Sequence, residues 1–99
     1  MVEPPFKLRV PAKLVGLIRG SHPELKRKLR ASLKAILHDP GVGKTLRDQL
    51  EGLRSYRVGH FRIIYQVSKR GRIVELVAIG PRARIYADTL RLIKRDHNG

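Results

Sequence analysis

The sequence predicts a small two-layer α+β domain, a helical hairpin lying on an antiparallel β-sheet. Three observations carry that prediction. Phe61, Ile63, Tyr65 and Val67 occupy alternate positions, as do Ile73, Val77 and Ile79, which is the period of strands with one buried face. Leu25, Leu29, Leu33, Ile36 and Leu37 form one apolar stripe at helical spacing. A length of 99 residues, 41% of them hydrophobic, fits one core, so residues 1–99 are taken as a single domain.

Phe6-Lys7-Leu8-Arg9-Val10 alternates apolar and basic residues and predicts a first strand at a sheet edge. Pro11 suits the start of a helix carrying Leu14, Val15, Leu17 and Ile18, with Gly20 at its end. Ser21-His22-Pro23-Glu24 has the form of a capping box, serine followed by glutamate three residues on. The helix it opens carries the leucine stripe, with Lys26, Arg27, Lys28, Arg30 and Lys34 mostly off it, until Pro40 and Gly41 stop it. Gly41–Gly52 reads as a polar link that tucks in Val42, Leu46, Leu50 and Leu53. A short strand near Arg54–Val58, broken at Gly59, precedes the main hairpin, whose tip is Ser68–Arg72 with Gly71 at the turn. Tyr86–Arg95 predicts a short terminal helix with Leu90 and Ile93 inward, and Asp96–Gly99 is expected to fray.

Lysine and arginine total 22 against 8 acidic residues, a formal net charge of +14. Such an excess points to a polyanionic partner: nucleic acid, acidic protein or anionic membrane. The basic residues divide evenly between 1–53 and 54–99, so no detachable basic tail is present. Without cysteine, disulfides and thiolate chemistry are excluded. No apolar run is long enough to span a bilayer, and the MVEPPFKLRV start lacks the apolar core of a signal peptide. A cytoplasmic location is expected.

Several motifs are decoys. Gly41-Val42-Gly43-Lys44-Thr45 ends like a phosphate-binding loop, but His38 stands where its first glycine belongs and a helix precedes it. The carboxylates are too scattered for a two-metal site, and Glu75 is expected to pair with a neighbouring arginine. No metal or other cofactor is implied, since His22, His38, His60 and His97 share no ligand spacing. No serine has the glycine-flanked elbow of a hydrolase triad.

What remains is arginine. Arg54, Arg57, Arg62, Arg82 and Arg84 fall at or near strand ends, and Arg62 interrupts an apolar run. An arginine in a sheet ordinarily faces solvent or snorkels. Several on neighbouring strands repel one another unless an anion bridges them. With Tyr86 and His60, they suggest metal-free chemistry on RNA, whose 2′-hydroxyl attacks the adjacent phosphate. Arg62 and Arg82 suit the charge that develops on the phosphorane oxygens. Tyr86 suits base stacking or orientation of the leaving group, and His60, beside Gly59, can titrate near neutrality.

The run Tyr56-Arg57-Val58-Gly59-His60-Phe61-Arg62-Ile63-Ile64-Tyr65-Gln66-Val67 resembles the RVGxYRxxYxV run of the RelE/ParE superfamily of toxins. Ile79-Gly80-Pro81-Arg82-Ala83-Arg84-Ile85-Tyr86 is similar to its xGHRxxxY close, and the helical hairpin falls where that superfamily has one. The resemblance covers nearly the whole chain. It implies a RelE-like fold and a toxin neutralised by an acidic, RelB-like antitoxin in a hetero-oligomer. RelE-type members cut mRNA in the ribosomal A site, whereas ParE-type members inhibit DNA gyrase without catalysis. By position, Arg62 and Arg82 would be the transition-state arginines and Tyr86 the tyrosine near the scissile nucleotide, which favours the ribonuclease. Arg54, Arg57, Arg84 and Lys69 would then contact RNA. Two departures stand out: Ser55, with Arg54 beside it, occupies a position often basic, and Pro81 replaces a frequent histidine. Guanidinium is a poor base, so His60 is the candidate proton acceptor. A decayed homologue that binds RNA or the ribosome without cutting is a further alternative.

Overall fold

A computed structural model describes residues 6–98, with side chains through residue 95; residues 1–5, the first half of the segment weighed above against a signal peptide, and Gly99 lie outside the described residues. The chain runs β1 (Lys7–Arg9), α1 (Ala12–Arg19), α2 (Pro23–His38), β2 (Lys44–Thr45), β3 (Leu53–Val58), β4 (Phe61–Ser68), β5 (Ile73–Pro81) and α3 (Arg82–Asn98). Five strands form one sheet in the order β1-β5-β4-β3-β2. The architecture is α+β with an edge strand first, as expected. The sheet is mixed, however, because β1 pairs with β5 in parallel while every other pair is antiparallel.

The first helix ends at Gly20 as its sequence predicts, but the cap of α2 is not the expected serine. Ser21 Oγ donates back to the Leu17 carbonyl (2.7 Å), which leaves His22 as the N-cap. Its Nδ1 accepts from the Glu24 amide at 3.2 Å. Pro23 then fits the first helical position, where no amide is needed.

The leucine stripe of α2 sinks Leu29, Leu33 and Ile36, with Leu14 of α1, against Val58, Ile63, Tyr65, Val74, Leu76 and Ile79. On β5 the expected alternation is displaced. Val74 and Leu76, rather than Ile73 and Val77, turn towards the helices. The register then shifts, since Ile64 pairs with Ala78 and Tyr65 with Leu76. Val77 is the extra residue of this bulge, which returns Ile79 to the helical side. Alternation across β4 sends Ile64 to the other face, where it packs with Leu53, Ala78 and Ile85 of α3. Helices therefore cover both faces of the sheet.

The terminal helix starts four residues before the expected position. Strand β5 runs directly into it, and the Arg82 amide donates to the His60 carbonyl at 2.8 Å. Leu92 and Ile93 pack inward beside Ile85, and the helix continues through Asn98 instead of ending before Asp96.

The polar link holds more structure than its composition suggests. Lys44–Thr45 is an edge strand flanked by short 3-10 turns at Pro40–Val42 and Asp48–Leu50. Leu46 and Leu50 tuck in as expected, whereas Val42 is 47% exposed. A buried tyrosine anchors this segment: Tyr65 Oη donates to the Pro40 carbonyl (2.7 Å) and accepts from the Gly43 amide (2.9 Å). Gly43 is required there, because a Cβ would lie 2.8 Å from Tyr65 Cε1 and 2.9 Å from Cζ. Burial pushes the Tyr65 phenol above its ordinary pKa, against the Gly43 hydrogen bond and the charge of Arg54, so the proton stays available for Pro40.

Removing that hydroxyl strands two backbone groups. Tyr65→Phe should therefore destabilise the protein by about 1–3 kcal/mol. Urea denaturation followed by circular dichroism measures it, and an unchanged midpoint would show that the anchor is dispensable.

Candidate phosphate-binding site

Sheet geometry decides which of the predicted site residues meet. In the antiparallel β3–β4 pair, Arg57 lies opposite Arg62 and Ser55 opposite Ile64. Arg62 in turn lies opposite Gly80 of β5, and Lys44 of β2 opposite Ser55. Directly paired residues share a face, as do alternate residues along one strand. Lys44, Ser55, Arg57 and Arg62 thus lie on the α3 side of the sheet, beside Ile64. A two-residue turn with Gly59 at φ 59° sets this register.

Tyr86 completes the group from the helix. Its hydroxyl lies 3.2 Å from Ser55 Oγ, while the ring remains 36% exposed. The Ser55 hydrogen bond lowers the Tyr86 pKa from its ordinary 10.0. Partial burial opposes the shift, and hydrogen bonding and charge from Arg62, with the charge of Lys44, reinforce it. Arg62 has a further property: its Nη1 is buried with no hydrogen-bond partner among the described residues. A permanently charged group beside a second arginine, with one buried N–H unsatisfied, suits an anionic ligand.

The other predicted residues divide. Arg82 opens α3 four residues before Tyr86, so the two lie on one helix face. His60 sits exposed in the β3–β4 turn, tied through its carbonyl to the Arg82 amide. Arg54 faces the opposite side of the sheet, where Nη1 donates to the Gly43 carbonyl (2.8 Å) and the Gly41 carbonyl (3.3 Å). That side chain braces the link before β2 and does not reach the Arg62 face. Arg84 precedes Tyr86 by two residues, about 200° around the helix, and so lies on another flank. Lys69 is at the hairpin tip, roughly 20 Å along β4 from Arg62.

Sequence reasoning missed two members. Lys44 lies inside the motif dismissed as a false phosphate loop, and Ser55 was noted only as a departure. The signal for both was cross-strand pairing, which requires the β2 strand to be recognised. Glu75 pairs with Arg9 at 3.6 Å, as expected for a structural carboxylate. Among the described residues no group of three or more His, Asp or Glu comes together that could hold a metal ion. A more apolar groove of about 930 Å³ lies apart from this site, between α1 and α3 along β5. No helix among the described residues is long and apolar enough to cross a membrane.

Comparison with known proteins gives a consistent placement. Residues 16–86 match the family described as the ParE toxin of the type II toxin–antitoxin system parDE. Toxin RelE of Mycobacterium tuberculosis is 38% identical over 52 residues, 52% of this chain and 54% of that protein. The matched region thus spans about half of the curated relative. Among solved structures, the M. tuberculosis RelBE2 toxin–antitoxin complex aligns with a TM-score of 0.69 at 23% identity, covering 80% of this chain and 93% of the other. The isolated Escherichia coli RelE toxin aligns at 0.68 and 18% identity, covering 89% and 98%. An archaeal RelE–RelB complex from Pyrococcus horikoshii gives 0.67 at 16%, covering 82% and 99%. These structural likenesses establish the shared fold, and the profile match establishes kinship: the chain belongs to the ParE toxin family of type II toxin–antitoxin systems, within the RelE/ParE superfamily.

Proposed function

We propose that this toxin is a ribosome-dependent endoribonuclease that cleaves mRNA without a metal ion. The observation that carries the reading is the Arg62 guanidinium, partly buried and unpaired at Nη1, opposite Arg57 and against the Tyr86 hydroxyl. Two cations facing each other across a strand pair destabilise a sheet unless an anion joins them. A backbone phosphate is an anion of the right size and acceptor geometry for guanidinium groups.

The reaction uses the substrate's own nucleophile. The RNA 2′-oxygen forms a bond to the adjacent phosphorus, and the bond from phosphorus to the 5′-oxygen breaks. Tyr86 takes the 2′-hydroxyl proton, since its neighbours favour the phenolate. We prefer Tyr86 to His60, the proton acceptor suggested by the sequence, because the Tyr86 hydroxyl lies against Ser55 and Arg62. The departing 5′-oxygen takes up a proton from solvent. Arg62 and Arg82 bear the extra negative charge of the phosphorane. The products are a 2′,3′-cyclic phosphate and a free 5′-hydroxyl, so DNA is not a substrate.

A ribosomal target places the toxin in the cytoplasm. A chain of net charge +14 also needs an acidic partner to be harmless to its own cell. Structural neighbours include toxins in complex with RelB-type antitoxins. A RelB-like antitoxin here would cover Arg62 and Arg82 or displace α3 from Leu53, Ile64 and Ala78. A second reading, favoured by the family's ParE description, is inhibition of DNA gyrase by binding alone. Supercoiling assays with purified gyrase separate the two.

Arg62→Ala and Arg82→Ala should each lower mRNA cleavage by about 10²–10³-fold. Mapping mRNA 5′ ends after induction reads this directly, and undiminished cutting in the double variant overturns the assignment. Cleavage should also rise with pH as the Tyr86 phenol loses its proton, with the midpoint below the ordinary 10.0 of a tyrosine. Tyr86→Phe should abolish that rise. Ser55→Ala, which removes the largest cause of the lowered pKa, should move it to higher pH. A pH–rate profile unaffected by Tyr86→Phe would exclude this tyrosine as the base.

A further inference from the structure

We propose that Lys44, on the edge strand β2, is a further phosphate-contacting residue of this site, gripping the RNA backbone beside the Ser55–Tyr86 pair. The inference rests on the nuclease reading above and extends it to a residue outside the superfamily-like hairpin. Three observations converge on it. Lys44 pairs directly with Ser55 in the β2–β3 register, which puts both side chains on the α3 side of the sheet. Ser55 Oγ is 3.2 Å from the Tyr86 hydroxyl, and the charge of Lys44 is felt at that phenol. Lys44 itself is exposed, so its ammonium is open to a ligand.

A further observation is how firmly its backbone is held. Two residues of edge strand would ordinarily wander. Here the preceding Gly43 is fixed from both ends: its amide donates to Tyr65 Oη and its carbonyl accepts from Arg54 Nη1. The Tyr65 hydroxyl then donates to Pro40, and Arg54 reaches Gly41 as well. A buried phenol and a guanidinium thus brace a segment that carries no core residue between Pro40 and Thr45. The Gly-Val-Gly-Lys-Thr motif, rejected as a nucleotide loop, acquires a local purpose. Gly43 makes room for the Tyr65 ring, and Lys44 projects from the fixed turn. No carboxylate is paired with Lys44 among the described residues, and the charged groups acting on Tyr86 beside it are cationic. Lys44 and Arg62 act on the phenol from β2 and β4, so a phosphate at Tyr86 would be held from two strands.

The test compares Lys44→Met, Lys44→Arg and a control, Lys34→Met on the exposed face of α2. Binding of a short single-stranded RNA across a salt series should lose about 0.7 from its log–log slope in Lys44→Met. Cleavage should fall about tenfold in that variant, and both effects should return in Lys44→Arg. Independently of any activity, the Tyr86 resonance of ¹³C-tyrosine-labelled protein should titrate at higher pH in Lys44→Met than in the control. Unchanged slope and titration in Lys44→Met, with cleavage still lost in Arg62→Ala, would overturn the role of Lys44 and leave the nuclease reading intact. RNA that is bound with the predicted slope change but never cut would instead remove the nuclease reading and retain Lys44 as a phosphate contact.

Discussion

Burial of β4 on both of its faces is the constraint on which the remaining structure depends. Its neighbours β3 and β5 occupy both edges, the helical hairpin covers one face and α3 the other. Side-chain alternation then leaves no freedom: Ile63 and Tyr65 go to the hairpin, Ile64 to α3, and Arg62 follows Ile64. A guanidinium cannot shed its charge to escape such a place. Its unpaired Nη1 and the opposing Arg57 both work against folding. An apolar residue at this position would suit the fold better. A bound phosphate would remove both penalties together, and the cost carried by the free protein would reappear as affinity for the anion.

The two tyrosines that frame the sheet show how one side-chain type is set to opposite tasks. Tyr65 is fully buried, and desolvation keeps its proton on a hydroxyl that must donate to a carbonyl. Tyr86 is part exposed, shares a hydrogen bond with Ser55 and stands near two cations, which together lower its pKa. Neighbours pushing equivalent groups apart in pKa is the way acid and base roles are divided in one site. The buried tyrosine also supports the surroundings of Tyr86, because its anchor at Gly43 fixes the strand that carries Lys44 opposite Ser55.

Much of the fold was legible because its signals are periodic and local. The α2 stripe, the β4 alternation and the glycine at the β3–β4 turn each survive without tertiary information. What was not legible depends on contacts between distant residues. The bulge at Val77 shifts the face of every β5 residue before it, and no residue type there announces it. Strand β2 is two residues long and exists through pairing with β3 and the Tyr65 anchor. The start of α3 was hidden by Gly80-Pro81, a pair that reads as a break but here ends a strand directly before a helix. At the candidate site, the motif named Arg62, Arg82 and Tyr86, of which Arg62 and Tyr86 interact and Arg82 shares the Tyr86 helix face. Spacing alone grouped Arg54 with them, although an odd offset from Ser55 turns it to the other face.

That sorting also explains why so many cations need not blur the chemistry. At physiological ionic strength the screening length is about 8 Å, so exposed lysines and arginines farther away act on a polyanion mainly by attraction at a distance. Lys69, roughly 20 Å from Arg62, belongs to that class. Buried or half-buried groups are screened far less. Arg62, with Ser55 and Tyr86 around it, is therefore distinguished from the other basic residues by its surroundings and not by its charge. On the nuclease reading, the even spread of charge draws RNA to the surface without choosing a point on it. The sheet chooses the point, by withdrawing one guanidinium from water and leaving it incomplete.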